Sequence, residues 1–270
     1  MNMGKRCNGT AMIELSFIET ALIGSSFVTI VAASIGYFMV LRGQSFAGHA
    51  LSHVGFAGAT GAVLVGLPPF WGLVGFTTLA GLAMGFLSDR LTGRDIAIGM
   101  ILSFSLGLGL LFLHFYTAFA SQVTALLFGN VFGIDQTFLP ALAGLSLLAL
   151  LLLGFIARPL LFVSLQPELA EARGVSLRLL SVLFLGLSGL AIALCTQVVG
   201  MLLVFTLLIG PAAAAQNLTR KVSTGLLLSA TIGLSASWGG IWLAVVSDWP
   251  ASFCVTALSA AFYGLSLLRR

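Results

Sequence analysis

The chain has 270 residues, of which 59% are apolar and only 7% are Asp, Glu, Lys or Arg. Soluble folds carry roughly 25% charged residues, so a soluble enzyme, a nucleic-acid binder and a disordered chain are all excluded. The net charge of +4 comes from 12 basic and 8 acidic residues spread over short connections, which form no basic patch for nucleic acid.

A helix needs about 20 mostly apolar residues to cross a hydrocarbon core roughly 30 Å thick. Runs of this kind lie at 17–41, 49–66, 70–87, 96–116, 139–157, 177–196, 198–215, 224–246 and 252–268. They are continuously apolar rather than alternating, which selects helices over barrel strands. The expected fold is all-α: one polytopic domain over 1–270 with eight or nine spans. The count stays at eight or nine because Pro68-Pro69 and the join near Gln197 each read as a tight hairpin or as a break within a helix. Residues 1–16 are expected to stay with the first span, since Glu14 and Glu19 interrupt the apolar region that a signal peptide needs. Cys7, Cys195 and Cys254 show neither metal spacing nor a disulfide framework.

Lys and Arg set the orientation. Beyond residue 40 the chain holds Arg42, Arg90, Arg94, Arg158, Arg173, Arg178, Arg220, Lys221, Arg269 and Arg270, all in every second connection or at the C-terminus. The intervening connections hold none and carry Asp135 and Asp248 instead. The Arg-bearing side is therefore cytoplasmic. Nine spans would place the N-terminus outside, against Lys5 and Arg6. Many of the 32 glycines lie inside spans, among them Gly55, Gly58, Gly61, Gly81, Gly85, Gly186 and Gly189. Small residues let helices approach closely in lipid, so these read as packing positions.

Ionisable groups at membrane depth are costly and mark functional candidates. Here they are Glu19, His49, His53 and His114. His49 and His53 stand four residues apart, which puts both imidazoles on one face of a helix. Two neutral nitrogens a turn apart can share one divalent metal. Protonation competes with such a metal, because free imidazole titrates near pH 6.5. His114, near the outer end of its span beside Tyr116, is a third ligand or a residue at the mouth of the path. Glu19, at the start of the first span, reads as interfacial. No phosphate-binding glycine loop and no hydrolytic motif is present, so the chain is expected not to be an enzyme. If it pumps, the energy comes from another chain or from an ion gradient.

The stretch from Arg158 to Arg178 is more polar than the spans. Pro167 suits a first helical turn, Glu168 and Glu171 suit its positive end, and Gly174 suits its stop. These residues predict a short helix of about seven residues at the cytoplasmic face. It would offer a soluble partner a handle on the two flanking spans.

Three segments together resemble the zinc/manganese/iron ABC importer permeases of the ABC-3 family. They are Gly48-His49-Ala50-Leu51-Ser52-His53-Val54-Gly55-Phe56-Ala57-Gly58; Gln166-Pro167-Glu168-Leu169-Ala170 with Gly174-Val175; and Val199-Gly200-Met201-Leu202-Leu203-Val204 with Leu207 to Ala215. Arg94-Asp95, Ala97-Ile98-Gly99 and Leu127-Phe128-Gly129-Asn130 also fit the family pattern. The resemblance implies a helical permease like those of type II ABC importers, in the bacterial inner membrane, working as a homodimer. It implies a cytoplasmic pair of ATP-binding subunits docked on the loops and an extracytoplasmic metal-binding protein that delivers the ion. By this likeness His53 stands at the family's motif histidine, and 166–174 is the coupling helix, with Pro167, Glu168, Glu171 and Gly174 facing the ATPase. No permanently bound cofactor is implied; the metal is cargo.

The chain departs from the family pattern at His49, where Asp is usual, at Ala57, where Pro is frequent, and at Gln166, where Asp is frequent. Imidazole in place of carboxylate makes a softer, less negative site, which favours Zn²⁺ over Mn²⁺, with Mn²⁺ or Fe²⁺ as the other readings. The alternatives are a permease for a metal chelate such as a siderophore or cobalamin, a gradient-driven metal carrier, and a membrane scaffold that transports nothing.

Overall fold

The computed structural model describes residues 4–87, 94–115, 127, 129 and 131–269, with side chains on the first helix from Ile18 onward. Lys5, Arg6, Cys7, Glu14, Arg90, Tyr116, Phe128, Asn130, Arg270 and the side chain of Arg94 lie outside this description. The elements are α1 (Gly4–Leu41), α2 (Ser45–Leu64), α3 (Pro69–Leu87), α4 (Arg94–Phe115), α5 (Leu139–Leu165), α6 (Pro167–Ala172), α7 (Leu177–Val199), α8 (Met201–Leu218), α9 (Val222–Ser247) and α10 (Ala251–Leu267). A 3₁₀ turn spans Val131–Gly133 before α5. The described elements are helical throughout, nine of them long, which agrees with the upper of the two expected counts. Six are long and apolar enough on their own to cross a membrane, and α8 and α10 are shorter apolar helices.

Side-chain contacts show which helix ends lie together. Arg42, at the end of α1, bonds Ser164 near the end of α5 and Ser181 near the start of α7. Gln216, near the end of α8, donates to the Tyr37 carbonyl in the last turns of α1, and Asn217 donates to Ser266 at the end of α10. At the opposite end Gln136 donates to Thr20 of α1, and Ile134 lies against Gly24. With the Arg-bearing end taken as the inner one, α1 runs from the outer end beside Gln136 to the inner end beside Ser164 and Ser181; the sequence left the side of its start open, with Lys5 and Arg6 against an outer start. The long helices alternate in direction through the bundle. Exposed Asp135 sits at the outer end, where the Thr137 N–H holds its carboxyl below the ordinary carboxylate range.

One boundary differs from the sequence reading, and a second takes one of the two forms left open there. Arg158-Pro159 reads as a stop, because proline lacks an N–H and crowds the preceding turn. Helix α5 nevertheless continues through Pro159 to Leu165. Leu160 and Val163 are buried beyond the proline, and their packing outweighs one lost backbone bond. Most of the expected polar loop is therefore helix. The second boundary is the join near Gln197, where α7 ends at Val199 and α8 starts at Met201 after the single residue Gly200, at φ +88°. Ser181 and Gln216 both lie near the inner end of α1, so the chain reverses at Gly200 rather than running on through a break.

Glycine surfaces hold the interior together. A Cβ on Gly81 would strike the Leu185 carbonyl, one on Gly85 the Val182 backbone, and one on Gly189 the Thr77 carbonyl. The hydroxyl of Thr77 donates to the Gly189 carbonyl across the same α3–α7 seam at 2.9 Å. Gly58 and Gly72 face each other between α2 and α3 in the same way. Such approaches replace the hydrophobic drive that is missing between helices in lipid. Gly189→Val is expected to cost more than the 1–3 kcal/mol typical of overpacking, because backbone must move. Its midpoint in detergent thermal unfolding should fall well below the wild type, whereas Gly107→Ala, with open space around the Cβ position, should leave it unchanged or raise it.

Candidate functional site

Helix α2 lies inside the bundle, against α3, α4, α7 and α8. Ala47, Gly48, Ala50, Leu51, Ser52 and Val54 are buried. In the inner half of the helix the open side carries Ser45, Phe46, His49 and His53. Phe46 is exposed and both histidines are half-buried. Further out, Phe56, Ala57 and Thr60 close that side again. The paired imidazoles therefore sit on a short open strip in the inner half of α2.

The two rings meet edge to face, with centroids 4.8 Å apart and planes at 76°. A metal–nitrogen bond of about 2.1 Å puts each ring centre about 3.2 Å from the ion, so two imidazoles sharing one ion sit about 5 Å apart. The observed centroid spacing of 4.8 Å is of that size. Phe205 of α8 closes the other side of His49, ring to ring at 5.3 Å and 83°. The Ser52 hydroxyl turns away and donates to the His49 carbonyl at 2.7 Å. Among the described residues no group of three His, Cys, Asp or Glu could hold a metal ion.

His114 is not brought to this pair. It is exposed near the outer end of α4, with its ring 5.6 Å from that of Phe115. Glu19 is also exposed, part-way along α1 and next to Thr20, which accepts from Gln136. Cys195 and Cys254 are buried free thiols away from the strip.

The second feature is α6, six residues long rather than seven. Pro167 sits in its first turn, and the Glu168 and Glu171 side chains are exposed. Its end is closed by the Val175 N–H to the Ala170 carbonyl at 3.0 Å and the Gly174 N–H to the Glu171 carbonyl at 2.9 Å. Gly174 takes φ +78°, a conformation open to glycine at no cost. Ala170 is fully buried beneath α6, while Leu165 and Leu169 are exposed beside the two glutamates. The result is a short, well-anchored knob at the inner end, apolar in part and rimmed with acid.

Two residues at these features were not singled out from the sequence. Phe205 is one aromatic among 21 phenylalanines, and nothing in its spacing marks it. Arg42 reads simply as a cytoplasmic charge; its bonds to α5 and α7 depend on tertiary neighbours.

A bundle of alternating long helices with a polar strip in the inner half of α2 and a knob at one end defines a membrane transport subunit. Residues 14–270 match the ABC 3 transport family. The chain is 30% identical to the manganese import system permease protein ScaB of Streptococcus parasanguinis, over 94% of this chain and 90% of that protein. It is 30% identical to a Haemophilus influenzae protein named "Probable iron transport system membrane protein", over 94% of each. Among solved structures, PsaBC from Streptococcus pneumoniae in complex with Fab superposes with a TM-score of 0.83 at 29% identity, covering 93% of this chain and 91% of that one. The chain belongs to the ABC 3 transport family. It is a multi-pass bacterial membrane permease and not an enzyme; ATP is hydrolysed on a partner chain.

Proposed function

We propose that this permease imports a bare divalent first-row transition metal ion, held in passing by His49 and His53. The observation that carries this reading is the pair of imidazoles 4.8 Å apart on an open strip in an apolar bundle. Two nitrogens and water form a weak site. A closed four-ligand zinc site binds by roughly 10–16 kcal/mol and would trap its ion rather than pass it. Manganese is the first reading of the cargo, because relatives aligned over nearly the whole chain are named as manganese systems. Zinc is the second, favoured by the imidazole at 49 where the family pattern has a carboxylate, since imidazole suits zinc better than manganese.

A half-buried imidazole pair is costly against lipid. A second copy of the chain set against the strip would remove that cost, so the working form is a homodimer with the ions passing along its axis. An extracytoplasmic binding protein delivers the ion to the outer end. Two ATP-binding subunits grip α6 through Pro167, Glu168, Glu171 and the turn at Gly174, and their closure drives alternating access.

The test is metal-stimulated ATP hydrolysis and uptake by the complex with its ATP-binding subunit and delivery protein, reconstituted in liposomes. Mn²⁺ is expected to stimulate both; stimulation by Zn²⁺ alone would move the assignment to the second reading. His53→Ala is expected to cut uptake at least 100-fold while the complex still assembles, and wild-type uptake would remove His53 from the path. Ala170→Arg, which forces α6 off its seat, is expected to lower co-purification of the ATP-binding subunit at least tenfold, as read on a quantified gel. Unchanged co-purification would remove α6 from the docking surface.

A further inference from the structure

Only Arg42, Gly43 and Gln44 connect α1 to the histidine-bearing α2. This connection is closed by the Gln44 N–H to the Met39 carbonyl at 2.8 Å and the Gly43 N–H to the Val40 carbonyl at 3.1 Å, with Gly43 at φ +63°. Two crossed bonds of this kind leave little slack at a helix end. The backbone of Arg42 therefore moves with the base of α2, and His49 follows seven residues later.

The side chain of Arg42 reaches the other way. One terminal nitrogen donates to Ser181 Oγ at 2.9 Å and the other to Ser164 Oγ at 3.4 Å. Its Cζ stands 5.7 Å from the ring centre of Phe184, which is buried on α7 against Phe38 of α1. Ser164 lies one residue before the end of α5, and Ser181 lies in the second turn of α7. Helix α6 is the only helix between them. The guanidinium thus grips both legs of the α6 hairpin from the base of the helix that carries the imidazoles. Bonds from a charged donor are worth about twice those between neutral groups, and only arginine offers a rigid fork to two acceptors.

We propose that Arg42 is the strut that passes movement of α6 to α2, a positioning residue for coupling ATP hydrolysis to ion transfer. This rests on the reading of α6 as the surface gripped by the ATP-binding subunits. A residue serving only as a cytoplasmic charge would be replaced by lysine without loss, because lysine satisfies the positive-inside rule equally well. A strut would not, since an ammonium on a flexible stem lacks the fork.

The experiment measures ions moved per ATP hydrolysed by the reconstituted complex, with Mn²⁺ or Zn²⁺ as probe. Arg42→Lys is expected to lower this ratio at least fivefold while hydrolysis continues. The double variant Ser164→Ala, Ser181→Ala keeps Arg42 and removes the two serine acceptors on the legs of the α6 hairpin; it is expected to shift the ratio the same way, and it decides the matter if Arg42→Lys fails to assemble. A wild-type ratio in the assembled variants, or uptake and hydrolysis falling by the same factor, would overturn the strut. Failure of the α6 reading is separate, because it shows in Ala170→Arg as undiminished co-purification of the ATP-binding subunit.

Discussion

The constraint behind this structure is that hydrocarbon satisfies no polar group, so each must find its partner within the protein. Many hydroxyls do so close to home, although those of Thr29, Thr78 and Ser146 are buried without a partner. Thr60, Thr77, Ser188 and Thr196 each donate to a carbonyl four residues earlier on their own helix, and Ser229 donates to the Ala33 carbonyl of α1. Glycines bring backbones together at the seams where side chains would hold them apart. The imidazoles of His49 and His53 differ from these hydroxyls in being ionisable, and their contacts are rings: each other, and Phe205 for His49. They are polar groups that the packing does not use, which is why the path is read there.

The position of α2 turns that pair into part of a machine. Neighbouring helices bury most of its surface and fix its rotation, so that only a short strip opens. Its inner end joins the Arg42 turn, and that turn faces the hairpin carrying α6. The handle for a cytoplasmic motor and the donors for an ion are thus linked by one helix base and one side chain. Phe205 reaches the same imidazole from α8, so a shift of either helix changes what His49 faces.

Much of this was legible in the sequence because membrane spans obey a length rule and Lys and Arg obey a side rule. The nine apolar runs became nine helices, and the i, i+4 spacing of His49 and His53 placed both rings on one face before any coordinates. Pro167 and Gly174 bounded α6 by local backbone chemistry alone. Reading failed where distant packing overrode a local signal. Arg158-Pro159 looked like an end, yet buried Leu160 and Val163 carried α5 onward. Gly200 left hairpin and break equally open until Ser181 and Gln216 were found at the same end of α1. Spacing along the chain also cannot show that His114 lies apart from the pair, that Phe205 touches it, or that Arg42 spans two helices. The nature of the ion divides along the same line: donor chemistry alone leans to zinc, and kinship over the whole chain leans to manganese.

The most direct measurement is X-ray absorption at the metal edge of the complex trapped with its ion after delivery. The account predicts outer-shell scattering from two imidazoles per bound ion, falling to one in His49→Ala. An ion with oxygen neighbours and no imidazole scattering, in a complex competent for uptake, would contradict it.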